Sequence, residues 1–295
     1  NAPSVQELFR KGFEKINAIG LRNLLSHPDM RVRQAAQFQL VAKADTKSLG
    51  GIARQGKGLA RLHAVWGLGQ LARGGQNQDA ALVPLLSDAN GEVQTQAAKM
   101  LGEARSKAAV PSLIKLLASG NARAQAQAAI ALSKIGGNYT DAVLAMLRHN
   151  DDADPIVRHG GIMALQALGK ALPVAQLSRE KSAAVRMATL IALRREGNPA
   201  VSTFLADEQP HIVLEAARAI ADEHIDAAMP ALAKLTTRPE LSKSVMRRAL
   251  NANYRLGQAD ALAAVATGDQ HADLARGEAL NLLGAWAKPS GRDRI

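Results

Sequence analysis

A short word recurs nine times along this chain: a Val, Leu or Ala near the start of a helix, small residues one turn later, and a large apolar residue beyond them. It begins at Val32, Leu62, Val93, Ala124, Val157, Val185, Val213, Val245 and Leu274, with spacings of 30, 31, 31, 33, 28, 28, 32 and 29 residues. The clearest copies read VRQAAQFQL (32–40), VQTQAAKML (93–101), VRHGGIMAL (157–165) and VRMATLIAL (185–193). The two apolar ends of a word lie a little over two helical turns apart, so both face the same way. A unit this short cannot bury its apolar face alone. Copies at a regular spacing bury it against one another, which makes a solenoid.

Composition narrows the class. Hydrophobic residues reach 47% while aromatics stay at 3%, and Ala and Leu dominate. Such a chain favours helix over strand, so an all-α protein is expected. At 295 residues it exceeds a usual single core, but a solenoid has no such ceiling, and residues 3–287 read as a single repeat domain. No apolar run approaches the roughly 18–20 residues that span a bilayer. The absence of Cys excludes disulfides, thiolate metal sites and covalent haem attachment in this sequence.

Each unit reads as helix A, a tight turn and helix B. In the third, Asp79–Leu86 is helix A, Ser87–Gly91 the turn and Glu92–Arg105 helix B; Ser87, Asp88 and Asn90 suit helix ends. The fourth uses Val110–Ala118 and Ala122–Ile135, stopped by Gly136-Gly137. The fifth uses Thr140–Asn150, the turn Asp151–Pro155, and Ile156–Leu168. Further pairs are expected at 171–178/183–196, 199–206/210–222, 226–236/241–256 and 259–267/271–287. Small residues inside the B helices, such as Ala36, Ala97, Ala128, Gly160, Gly161 and Ala188, let neighbouring helices approach closely.

The turn-plus-helix words HPDMRVRQAAQ (27–37) and SDANGEVQTQAA (87–98) resemble short HEAT repeats. Three longer stretches, 24–41, 204–232 and 275–295, are similar to the HEAT region of PVC-type haem-binding, membrane-bound dehydrogenase-like proteins. In that family a β-propeller precedes the repeats and a c-type cytochrome domain follows them. The resemblance implies a right-handed α-solenoid of about nine helix pairs, a periplasmic or secreted setting, and partner domains in the same parent chain. The sequence contains no C-x-x-C-H motif, no propeller-like strand run and no signal peptide, so it reads as an excised middle without a cofactor of its own. Asn1-Ala2 reads as a tag scar, and Lys288–Arg294 with its Pro and Gly as a polar exit linker over 288–295.

Charge points to a partner. Residues 1–150 hold 19 Lys+Arg against 9 Asp+Glu, whereas 151–295 hold 18 against 17. Within 1–61 the balance is 11 against 4. This field attracts an acidic protein, lipid headgroups or nucleic acid; alternatively it is a solvated face that keeps an Ala-rich stack soluble. Handling an extruded base needs aromatic platforms beside a carboxylate, and Trp66 and Trp286 are far apart in sequence. Trp66 is expected to fill a gap between the first repeats. The seven histidines include no H-x-x-x-H pair and no H-E-x-x-H, so metal ligation is not expected. The Asp151–Pro155 turn lacks an EF-hand pattern and reads as an N-cap; Gly160-Gly161 reads as close packing.

No nucleophile–base pair, phosphate loop or dinucleotide fingerprint is present in the sequence, and no catalytic, cofactor or metal residue is assigned. The expected function is a noncatalytic scaffold presenting its B-helix face to other domains. Arg31, Arg33, Arg61 and His63, at the starts of the first two B helices, are the candidate contact residues. Trp286 joins them, because the last helix is strongly apolar and is expected to pack inward with one side and meet a following domain with the other. The alternatives are a basic solenoid binding nucleic acid or another acidic ligand, and a HEAT-like enzyme with dispersed residues.

Overall fold

A computed structural model describes residues 5–286; the expected scar at Asn1-Ala2 and the linker at 288–295 lie outside the described residues. Among those described, regular structure is helical, with no strand. The chain divides into two compact units, Asn1–Leu168 and Gly169–Ile295.

In six of the B helices a four-residue step, cap to core, sets the start. Asp29, Asn90, Asn121, Asp154, Ser182 and Ser242 are N-caps standing three residues before Val32, Val93, Ala124, Val157, Val185 and Val245. Each side-chain oxygen accepts a backbone N–H two or three residues on, as Asp154 does from Ile156 at 2.7 Å. Such a cap stabilises by about 1 kcal/mol relative to Ala. The core residue is therefore the third of its helix, and the residues four and eight places on, such as Ala36 and Leu40, are buried with it.

Two word starts, Leu62 and Leu274, stand one residue before the core position. In the helix Gly58–Arg73 the buried row is His63, Gly67 and Leu71, while Leu62, Trp66 and Gln70 are only half-buried. In Asp273–Gly284 the third residue is Ala275, Ala279 is buried, and Leu274 is 52% exposed. The core position thus falls one residue later in both, and in the second repeat it holds a histidine.

In the first unit the B helices Met30–Ala42, Gly58–Arg73, Gly91–Glu103, Ala122–Ile135 and Pro155–Gln166 pack each on the next. In the second the series is Ala183–Arg195, Pro210–Asp222, Lys243–Arg255 and Asp273–Gly284. Each unit is an α-solenoid of helix pairs. Close approach needs the small residues: a Cβ on Gly160 would lie 2.6 Å from Ala126 Cα, and one on Gly161 2.5 Å from Leu147 Cδ2.

Several A helices are tighter than expected. Asp79–Leu86 is α-helical only to Leu82 and continues as a 3₁₀ helix, Val83–Ser87. Pro84 has no N–H for an i−4 bond, and its ring crowds the preceding turn. Pro199–Ala206 is 3₁₀ throughout, and the 226–236 stretch, with Pro230, breaks into Asp226–Ala228, Met229–Ala233 and Lys234–Thr237. Among the described residues no helix is long and apolar enough to cross a membrane.

Candidate interaction surface

The structure brings Arg33 and His63 together inside the first unit. Arg33 is buried, and its Nη1 donates to the carbonyls of His27 and Pro28, both at 2.7 Å. Its Nε donates to His63 Nε2 at 3.2 Å. His63, 4% exposed, faces Gln37 Oε1 through Nδ1 at 2.7 Å, and Gln37 Nε2 donates to Gln70 Oε1 at 3.1 Å. These partners require a neutral ring with its proton on Nδ1. A proton on Nε2 would oppose the Arg33 N–H and add a second buried cation. Burial, and then the Arg33 charge, accordingly lower the His63 pKa from 6.5 to about 4.

Arg61 is also engaged. Its Nε donates to Ala53 O at 2.7 Å, Nη1 to Asp88 Oδ1 at 3.0 Å, and Nη2 pairs with Asp88 Oδ2. Asp88 meanwhile accepts the Asn90 N–H at 2.8 Å, so one carboxylate ties Arg61 to the turn of the following repeat. Arg61 borders a cavity of about 430 Å³ with Lys57, Leu59, Asn90 and Glu92. Arg31 alone of the first four candidates is exposed; it chelates Asp29 through Nε at 3.1 Å and Nη2 at 2.6 Å, and this holds the Asp29 carboxyl down at about 2.

Trp66 lies edge-on to His63, with ring centres 4.9 Å apart, and donates from Nε1 to Gln96 Oε1 at 2.8 Å. Gln96 in turn donates to Glu92, whose other oxygen pairs with Arg123 at 2.8 Å. The ring thus fills the space between the second and third B helices, with its polar end satisfied.

The second unit repeats the brace with a different partner. Arg186 Nη1 donates to the carbonyls of Glu180 at 2.7 Å and Lys181 at 3.1 Å. Its Nε and Nη2 grip Asp207 at 2.7 and 3.1 Å, and Asp207 accepts the Gln209 N–H at 2.8 Å. Sequence reasoning passed over Arg186. The available signal was its place directly after Val185, matching Arg33 after Val32.

Engagement of four carboxylates of the first unit leaves several of its exposed cations without one. Asp29, Asp88, Glu92 and Glu103 are held by Arg31, Arg61, Arg123 and Arg73. Arg22, Lys47, Arg54 and Lys57 are exposed. Lys47 and Arg54 lie two turns apart on one side of the A helix Thr46–Gln55, with Gly51, open to space, between them.

At the far end of the second unit, Trp286 is 37% exposed and stacks edge-on against Tyr254, ring centres 5.4 Å apart. The preceding helix packs Ala279 and Leu282 inward against Met246 and Leu250. Among the described residues no group of three or more His, Asp or Glu is placed to hold a metal. Asp154 caps its helix as expected of the acidic turn.

Residues 79–166 match a family described as HEAT repeats. No curated protein matches the chain. Among solved structures, the chain is similar to a Kap121p mutant at 12% identity, with 97% of this chain and 38% of that one covered and a TM-score of 0.53. Human deoxyhypusine hydroxylase in complex with glycerol aligns at 19% identity over 85% of this chain and 98% of that chain, with a TM-score of 0.33. The complex of CpcE and CpcF of phycocyanin lyase from Nostoc sp. PCC7120 aligns at 19% identity over 96% and 100%, with a TM-score of 0.35. The Kap121p likeness shows the fold alone, a HEAT-like α-solenoid. The other two are too distant in backbone geometry to carry an argument.

Proposed function

We propose that this chain is a noncatalytic protein-interaction scaffold whose first unit engages an acidic protein surface. One observation carries the reading: the B-helix arginines pair with the local carboxylates, which leaves Arg22, Lys47, Arg54 and Lys57 as uncovered charge on the first repeats. Arg31 belongs to this surface; Arg33, Arg61 and His63 support it from within. Treating 3–287 as one repeat domain is part of the same proposal. The finer reading, that the chain spaces the propeller and cytochrome domains of a dehydrogenase-like parent, rests on the sequence resemblance of 24–41, 204–232 and 275–295 alone.

A salt titration tests it, with polyglutamate and a duplex DNA as probes. The scaffold reading expects polyglutamate binding that weakens with salt and is lost in the Lys47→Glu/Arg54→Glu/Lys57→Glu variant, whose changes leave the buried braces intact. DNA affinity near micromolar, with a steep fall against log salt and no polyglutamate binding, would replace it by the nucleic-acid reading. Binding to neither probe would mean that the cations serve solubility only.

A further inference from the structure

The helix Asp273–Gly284 is built like the B helices before it, and its positions are counted from Ala275 as theirs are from Val185 and Val245. Five residues after those starts, Leu190 and Leu250 are 0% exposed, whereas Leu280 is 58% exposed. Gly277 and Gly284 lie on the same stripe as Leu280, three and four residues to either side. In the first unit Gly102, nine residues after Val93 as Gly284 is after Ala275, lies against the following B helix. A Cβ there would come 2.7 Å from Ala131 Cα, whereas a Cβ on Gly277 or Gly284 meets nothing within 4 Å. The row Gly277, Leu280, Gly284 is therefore the side that each earlier B helix turns toward its successor, and among the described residues nothing covers it.

We propose that this row docks one further antiparallel helix pair, whose second helix carries small residues three and seven places after its core position. The partner's chemistry follows from continuity with the interfaces already formed. Gly160, three after Val157, is the residue that lets the fifth B helix sit on Ala126, and Ala131, seven after Ala124, is the one that meets Gly102. Trp286, 37% exposed and edge-on to Tyr254, stands two residues beyond Gly284 at the end of the same helix. The proposal rests on the scaffold reading and adds a second contact, of different chemistry from the cationic surface.

The test keeps the full chain and changes Trp66 to Phe, so that Trp286 is the single tryptophan reporter. A copy of residues 107–135 is joined after Ile295 through a flexible Gly/Ser linker, which supplies the pair at high effective concentration. Docking predicts a shift of Trp286 emission to shorter wavelength and at least a twofold drop in acrylamide quenching. Leu280→Glu, at an exposed position, should reverse both without unfolding the chain. Identical spectra and quenching with and without the appended pair would overturn the proposal. So would a concentration-dependent dimer of the unextended chain that Leu280→Glu abolishes, because the row would then belong to a second copy. Polyglutamate binding, measured alongside, reports separately on the scaffold reading.

Discussion

Arg33 and Arg186 follow Val32 and Val185, and each turns back to two carbonyls of its own turn, but the groups waiting in the next repeat differ. Arg186 meets the buried carboxylate of Asp207, while Arg33 meets the neutral ring of His63. One backbone position thus supports two electrostatic designs. In the second unit the guanidinium charge is balanced inside the fold. In the first it is only solvated by dipoles, and the imbalance is carried by the histidine, which is kept from taking a proton.

The comparison breaks most severely at Asp207. Asp207→Ala leaves Arg186 buried without its main partner, and urea unfolding should show a loss of about 3–5 kcal/mol. Arg33 has no such carboxylate to lose, so the sensitivity at that position is to pH. The unfolded chain binds a proton at His63 near pH 6.5, the folded chain only near 4. Stability should therefore fall as pH drops from 6.5 to 4 and lose no more from this group below that, about 3 kcal/mol in all. His63→Gln should flatten that part of the profile; an unchanged slope would contradict a neutral, buried His63. Next in size, Gln37→Leu strands His63 Nδ1 and Gln70, at about 1–3 kcal/mol in the same unfolding assay. Arg31→Ala, at an exposed pair, should leave the denaturation midpoint where it is.

The repeat length and most core positions were legible, because the apolar word and its small residues set the helix phase. What misled was apparent chemistry. Leu62 and Leu274 look more like core residues than His63 and Ala275, yet the cap-to-core distance, plain at Asp29 and Val32 or Ser242 and Val245, places Leu274 outside. His63 had no such guide, since its helix begins earlier and its cap position, Lys57, makes no side-chain bond. Arg33 and Arg61 read as surface cations because burial of an arginine depends on turn carbonyls and on residues some thirty places away. The apolar character of the last helix was plain in the sequence, whereas the uncovered row needed the neighbouring repeats for comparison.

The four-residue step from cap to core in the six capped helices also decides where the chain can change length. Repeat spacings from 28 to 33 residues are all compatible with the step, so the variation is taken up elsewhere, between one B helix and the next turn. Gly136 and Gly137, at φ of 82° and 109°, mark such a place, where extra residues can loop outward. One residue added between Asn121 and Ala124 would instead turn the whole following helix by about 100°, carrying its small residues away from the neighbours they were shaped to meet. Growth and loss of sequence are thereby steered to one edge of each pair, the edge where a new loop disturbs nothing.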